Sequence, residues 1–495
     1  MTTYGRTALL LALSSAAAAA SLTVARADTA GAGGSLAWGD CAIPEPVPGQ
    51  QCATLSVPLD YSDPGGRRIG IAVSRIRGDR PEERRGTLAV IPGGPGSSGV
   101  RRLASKGAAL RGELGGAYDL VAMDPRGVGG SAKANCRLDE SDRRLVTLRS
   151  WPDADGGIDE NVARSRRTAE ACARNGGEVL ASMTTANQAR DLDRFRQALG
   201  EEKLSAWGVS YGTYVGAVYA QKFPHRTDRW VLDSSSDPDP ERVARGWLGF
   251  LGPGAEDRFP DFAEWAAHPD RTKQGLRLAE RPEDVRPLVI ALAERLDREP
   301  KESSKPGVPL TGNVLRQALQ NALYGDAAFP GFARLVVEAL DPARNPVLPR
   351  ELADALSEED AAVMIGVICN DVRWPRSVPA HRRAVAEDRV RHPLTAGFPA
   401  NITPCSFWKA PAEKPTRITD RGPSNILMIQ SLRDPSTPYA AGLKMRAALG
   451  DRARLVAVDQ GGHGMYLGNG NACGDRAVTA FLRTGVRPAS DTYCG

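Results

Sequence analysis

Histidine is scarce here, five residues in a chain of 495, so any chemistry that needs an imidazole has few candidates. None of the eight cysteines stands in a C-x-x-C, which argues against redox pairs and zinc ribbons. No metal ion or cofactor is expected. Beyond the first 27 residues no run is long and apolar enough to span a bilayer, and no stable membrane association is expected. Net charge is +5, yet arginines and acids are interspersed, as in Arg190-Asp191-Leu192-Asp193-Arg194. With no basic stripe carrying interleaved aromatics, nucleic acid is not an expected partner. There is no internal repeat.

What the chain does have begins at its amino end. Arg6 precedes an uncharged, Ala/Leu-rich run over 7–25, and Ala25-Arg26-Ala27 has the small-x-small form of a cleavage site. Residues 1–27 read as a secretory signal peptide cut before Asp28, giving a secreted, extracellular protein. No cysteine adjoins the cut, so a lipid anchor is not expected. An even number of cysteines in an exported chain favours disulfides. Sequence does not fix their connectivity, but the spacing suggests sequential pairs: Cys41 with Cys52, Cys136 with Cys172, Cys369 with Cys405, and Cys473 with Cys494.

Short apolar runs at 55–59, 69–76, 87–91, 118–123, 203–207, 229–232, 426–430 and 454–458 read as strands, mostly of the continuous kind that parallel sheets require. Helical periodicity between the later ones, including 187–199, argues for an α/β fold with a mostly parallel central sheet. The rhythm breaks between about 238 and 421. There 282–296, 311–323, 329–340 and 357–368 are all helix-like. This stretch reads as a large helical cap inserted between the sixth and seventh core strands, dividing the core into 28–237 and 422–495. A smaller insertion at about 136–183 is polar and is expected to lie on the surface.

Gly208-Val209-Ser210-Tyr211-Gly212 lies between a strand-like run and a helix-like one. A G-x-S-x-G in that context is a nucleophile elbow, a tight turn that lifts the serine hydroxyl above the sheet. Serine needs a base, normally a histidine oriented by a carboxylate. His225 follows the elbow helix, and His268, His381 and His392 fall in the cap. His463, in Gly461-Gly462-His463-Gly464, directly follows the last of the predicted core strands. The acid is then expected after the preceding strand, at Asp434 in Asp434-Pro435-Ser436-Thr437-Pro438, with Asp233 as the rival. Thr437 could bond the carboxylate or cap the next turn. Pro92-Gly93-Gly94-Pro95-Gly96 follows the third strand and can bring backbone N–H groups close to a substrate carbonyl. Prolines cannot donate, so Gly93, Gly94 and Gly96 are available. Gly94 is the chosen donor, with Tyr211 N–H as the second.

These segments together resemble the secreted tripeptidyl aminopeptidases of Streptomyces and related actinobacteria, capped α/β-hydrolases akin to prolyl iminopeptidases. The resemblance is carried by 92–99, by Asp124-Pro125-Arg126-Gly127 with Gly129 and Ser131, and by 208–213 running on through Tyr219-Ala220 and Phe223-Pro224. Asp434 to Pro438, Gly462-His463-Gly464 and the closing Cys473 and Cys494 complete it. Prolyl iminopeptidases carry a histidine before their GGPG where this chain has Pro92, which favours the tripeptidyl branch. The resemblance implies a monomeric serine exopeptidase acting on peptide substrates, with a carboxylesterase, a lactonase or a precursor-specific peptidase as alternatives on the same triad. A catalytically silent binding protein is the remaining alternative. Cys369-Asn370-Asp371 resembles a family motif, making Asp371 the candidate to hold a substrate ammonium. Its alternative is a capping or ion-paired residue.

Overall fold

The computed structural model describes residues 36–495, and the leader expected at 1–27 lies outside them. Its strands are β1 (Gly39–Asp40), β2 (Gln50–Pro58), β3 (Arg68–Ile76), β4 (Thr87–Ile91), β5 (Asp119–Met123), β6 (Leu204–Val209), β7 (Thr227–Asp233), β8 (Ile426–Arg433), β9 (Ala453–Gly461) and β10 (Thr492–Cys494). They form one sheet in the order β1-β2-β3-β5-β4-β6-β7-β8-β9-β10. Pairing is antiparallel from β1 to β5 along that order and parallel from β5 to β10. Composition explains the split. Every residue of β4 and β6 is buried, as strands covered by helices on both faces must be, whereas β3 largely alternates buried with more exposed positions. This is the α/β-hydrolase sheet.

Strand order reverses at β4, which has β5 on one side and β6 on the other. A crevice opens outside the carboxyl ends of strands at such a point. The loops that follow β4 and β6 carry Gly93 and Ser210, so topology alone brings these two sequence motifs together.

Between β7 and β8 every named element among the described residues is helical, the longest being Arg245–Ala267, Pro282–Arg298, Gly312–Ala322, Phe329–Leu340, Glu358–Asp371 and Val378–Arg391. The first four supply most of a hydrophobic cluster of their own, with Phe259, Phe262, Leu292, Leu315 and Phe332 inside it. The Glu358–Asp371 helix instead packs into the main core through Ala361, Ala362, Ile365 and Cys369. The 136–183 insertion is not the surface segment its polarity suggested. Trp151 is buried, stacks on Phe398 at 4.7 Å between ring centroids and donates to Gln317 Oε1 at 3.1 Å. Polar side chains of this segment, such as Asn161, are buried with hydrogen-bond partners, which composition does not reveal.

The cysteines pair sequentially, Cys41–Cys52, Cys136–Cys172, Cys369–Cys405 and Cys473–Cys494. Bridges of this kind persist in oxidising compartments and agree with an extracellular location. Among the described residues no helix is long and apolar enough to cross a membrane.

Candidate active site

Ser210 occupies the turn between β6 and the Tyr211–Lys222 helix with φ 58° and ψ −128°, a conformation that costs a non-glycine residue free energy. Its surroundings enforce that turn. A Cβ on Gly208 would lie 2.5 Å from Gly212 O, and one on Gly212 would lie 2.5 Å from Ile91 O. Neither position tolerates a side chain. The elbow is latched from within, since Thr213 N donates to Ser210 O at 2.8 Å and Ser236 N donates to Thr213 Oγ1 at 3.1 Å. Ser210 Oγ itself has no hydrogen-bond partner among the described residues and opens on a cavity of about 540 Å³. The helix that begins at Tyr211 points its positive dipole end at the same space.

The loop after β4 packs directly on this turn. A Cβ on Gly93 would meet Ser210 Cβ at 3.0 Å, so only glycine lets the two backbones approach so closely. Gly93 and Gly94 both line the cavity. The loop is anchored by Asp124, which sequence reading left without a role. Its carboxylate accepts from Ser98 Oγ at 2.6 Å, Val100 N at 3.0 Å and Gly130 N at 3.0 Å. Arg126, two residues on, is buried in a bidentate pair with Asp191 at 2.8 and 2.9 Å.

His463 and Asp434 meet as β8 and β9 end side by side. His463 Nδ1 lies 3.0 and 2.9 Å from the two Asp434 oxygens. Asp434 is 1 % exposed and accepts further bonds from Ser436 N and Thr437 N, both at 2.8 Å, and from Thr437 Oγ1 at 2.9 Å. Thr437 thus bonds the carboxylate, one of its two expected possibilities. Burial alone would lower the proton affinity of His463. Asp434, with a contribution from Asp233, outweighs burial, and the imidazole titrates above the ordinary histidine value. The rival Asp233 never reaches the ring. Fully buried, it accepts from Met465 N at 2.8 Å, Tyr466 N at 2.9 Å and Trp207 Nε1 at 3.2 Å, holding the backbone of the histidine loop.

The rest of the cavity wall is mostly apolar. Leu145 and Leu148 come from the 136–183 insertion, while Trp247, Leu251, Ile365 and Phe398 come from the cap. The Cys369–Cys405 bridge also lines it. Tyr324, which sequence reading did not select, joins cap to site. Its carbonyl accepts from His463 N at 2.9 Å, its ring meets the imidazole edge-on at 5.1 Å, and its hydroxyl bonds Ser436 at 3.0 Å. Asp371 is absent from the wall. Its carboxylate accepts from Thr185 N at 2.9 Å and from Thr185 Oγ1, at the start of the Thr185–Ala198 helix. Burial raises it to about 6 against those bonds. It is a capping residue behind the cavity, so the ammonium-anchor role read from the sequence is corrected. Among the described residues no Asp or Glu lines the cavity, and the charged groups there are Arg102, Lys106 and Arg149.

Two family models match this chain, one described as alpha/beta hydrolase fold over residues 86–285 and one as TAP-like protein over 395–494. They cover the parts that carry Ser210 and His463. The tripeptidyl aminopeptidase of Streptomyces coelicolor is 34% identical over 502 residues, covering 96% of this chain and 88% of its own. The chain belongs to the tripeptidyl aminopeptidase family of α/β-hydrolases. Serine protease Hip1 of Mycobacterium tuberculosis is similar at 29% identity, covering 93% of this chain and 91% of its own. So is carboxylesterase B of the same species, at 29% identity with 90% and 86% covered. In this tripeptidyl aminopeptidase family member, the arrangement of serine, imidazole and carboxylate around an apolar cavity can support acyl transfer.

Proposed function

We propose that this protein is a secreted serine exopeptidase that releases short peptides, tripeptides by its family, from peptide N-termini. Ser210 Oγ attacks the scissile carbonyl while His463 Nε2 takes its proton, and Asp434 holds Nδ1–H and stabilises the imidazolium. Gly94 and Tyr211 N–H groups donate to the oxyanion, with the helix N-terminus behind them. His463 then returns the proton to the departing amine, and water resolves the acyl-enzyme. The observation that carries this reading is the grip of both Asp434 oxygens on His463 Nδ1 at the rim of the cavity into which Ser210 opens. Export is supported by the four bridges.

The apolar wall without a carboxylate favours a second reading, an esterase on the same triad, since an exopeptidase counting from the amino end must hold an ammonium by other means. One experiment separates them. Purified protein is offered free and N-acetylated peptides together with simple esters, and products are read by mass spectrometry. The exopeptidase is expected to cut free-amine peptides about 10² or more faster than acetylated ones. Equal rates would shift the reading to an esterase or endopeptidase. Ser210→Ala should remove turnover by on the order of 10⁶ with unchanged circular dichroism.

A further inference from the structure

Among the described residues the cavity wall carries cations and no anion, and two of those cations, Arg102 and Arg149, have a buried Nε without a partner. Arg102 lies on the Gly99–Glu113 helix that follows the Gly93 loop. Among the described residues its guanidinium has no hydrogen bond or ion pair, and its Nε is buried without a partner. It rests over the ring of Trp207, 4.9 Å from the centroid. The charge that compensates it is Asp233, whose oxygens are already taken by Met465 N, Tyr466 N, Trp207 Nε1 and Ser234 Oγ. Burial accordingly lowers the arginine's proton affinity. A half-buried guanidinium whose Nε has no partner is costly, and a carboxylate bound to it would be held by charge-assisted bonds. Lys106, one helical turn on, spends one of its three N–H bonds on Leu467 O at 2.7 Å, leaving the others free to face the cavity.

Their place along the reaction coordinate follows from the same contacts. Lys106 is tied to the loop that carries His463, and Arg102 lines the same cavity as that imidazole. The imidazole hands its proton to the leaving group, so groups beside it face the leaving side of the scissile bond. We propose that Arg102 and Lys106 form a subsite for the C-terminal carboxylate of a short leaving peptide, so that the protein prefers small peptides with a free carboxyl end to long or blocked chains. This rests on the exopeptidase reading above. It adds a specificity device at the end of the substrate opposite the amine.

The test uses four-residue peptides, three residues before the scissile bond and one after it, made as the free acid and as the C-terminal amide. Wild type is expected to cleave the acid with a kcat/KM roughly 10- to 100-fold above the amide, the discrimination a site built for one polar group can reach. Arg102→Gln should bring that ratio close to one, and Arg102→Lys should keep part of it. A wild-type ratio of one, or a ratio that survives in Arg102→Gln, overturns the proposal. Should Arg102→Gln fail to fold, the wild-type ratio and Arg102→Lys decide alone. A leaving residue made as the aspartyl amide separates side-chain from main-chain carboxylate. The free acid is expected to be preferred, and equal cleavage overturns the C-terminal assignment. If wild type cleaves none of these, the exopeptidase reading falls, but calorimetry with Ser210→Ala protein still tests the subsite. The peptide acid should bind more tightly than the amide, and equal affinity overturns the inference.

Discussion

The floor and the roof of the cavity are built on opposite principles. On the floor, strand ends bring Ser210, Asp434 and His463 into place, and nearly every polar group there is fixed. Asp434 is bonded by two backbone N–H groups, a hydroxyl and the imidazole. The elbow glycines leave no room for a Cβ. The roof is made of cap and insertion side chains, chiefly Leu145, Leu148, Trp247, Leu251 and Phe398, and Arg149 among them has a buried Nε without a partner. Fixed dipoles suit a reaction whose charges appear at set points. An apolar roof with few polar contacts suits selection by shape, which can change between relatives without disturbing the floor. Family membership is therefore written in the floor, while the roof supplies most of the apolar wall.

The largest expected effect tests whether the floor acts through one carboxylate or two. Asp434→Asn should lower turnover by roughly 10⁴ on every substrate, because the amide stabilises the wrong imidazole tautomer. Asp233→Asn should act mainly on stability, by about 1–3 kcal/mol, since it leaves backbone N–H groups of the histidine loop facing an amide. Steady-state kinetics and denaturant melts on both variants check this, and reversed effects would move the acid to Asp233.

A smaller effect is expected from the roof. Trp247 donates from Nε1 to Asp237 O at 3.1 Å and packs edge-on against Tyr211 at 5.6 Å. Trp247→Ala should raise KM by about 10- to 100-fold for favoured substrates, with a lesser change in kcat and an altered ranking across a peptide library. Equal loss on all substrates in kcat alone would mean that the roof belongs to the catalytic machinery.

The smallest effect is a displacement along the pH axis. His463 must be neutral to accept the serine proton, and its pKa in the folded protein lies above the ordinary value of 6.5. The acid limb of kcat/KM should therefore fall above pH 6.5 and move down in Asp434→Asn. The stability contribution has the opposite sense. A histidine with a raised folded pKa stabilises fully below its unfolded value and loses that contribution as pH rises through the folded one. Activity should therefore rise over the window in which this contribution to stability declines, measurable by pairing pH–rate profiles with melts.

The floor was largely legible in the sequence because its constraints are local. Tight turns demand glycine at fixed spacing, and buried parallel strands demand short apolar runs. All eight expected strands coincide with β2 to β9. The two unforeseen strands, β1 and β10, are two and three residues long and carry no periodic signal. The roof was less legible. The Arg245–Ala267 helix contains Pro253 and Pro260, which read as breaks, yet it continues through both. Its Gly254 passes so close to the acid loop that a Cβ would lie 2.6 Å from Pro435 O. Tyr324 left no signal, because its contacts with His463 and Ser436 depend on how the cap folds back. Asp371 gave a misleading one, since a carboxylate that caps a helix looks, in sequence, like one that binds a ligand.

The cap's position in the chain fixes an order of assembly. Ser210 emerges from the ribosome well before Asp434 and His463, with the whole stretch between β7 and β8 still to come. On the reading proposed here, the nascent chain carries a serine without its base until β9 and the loop after it are made.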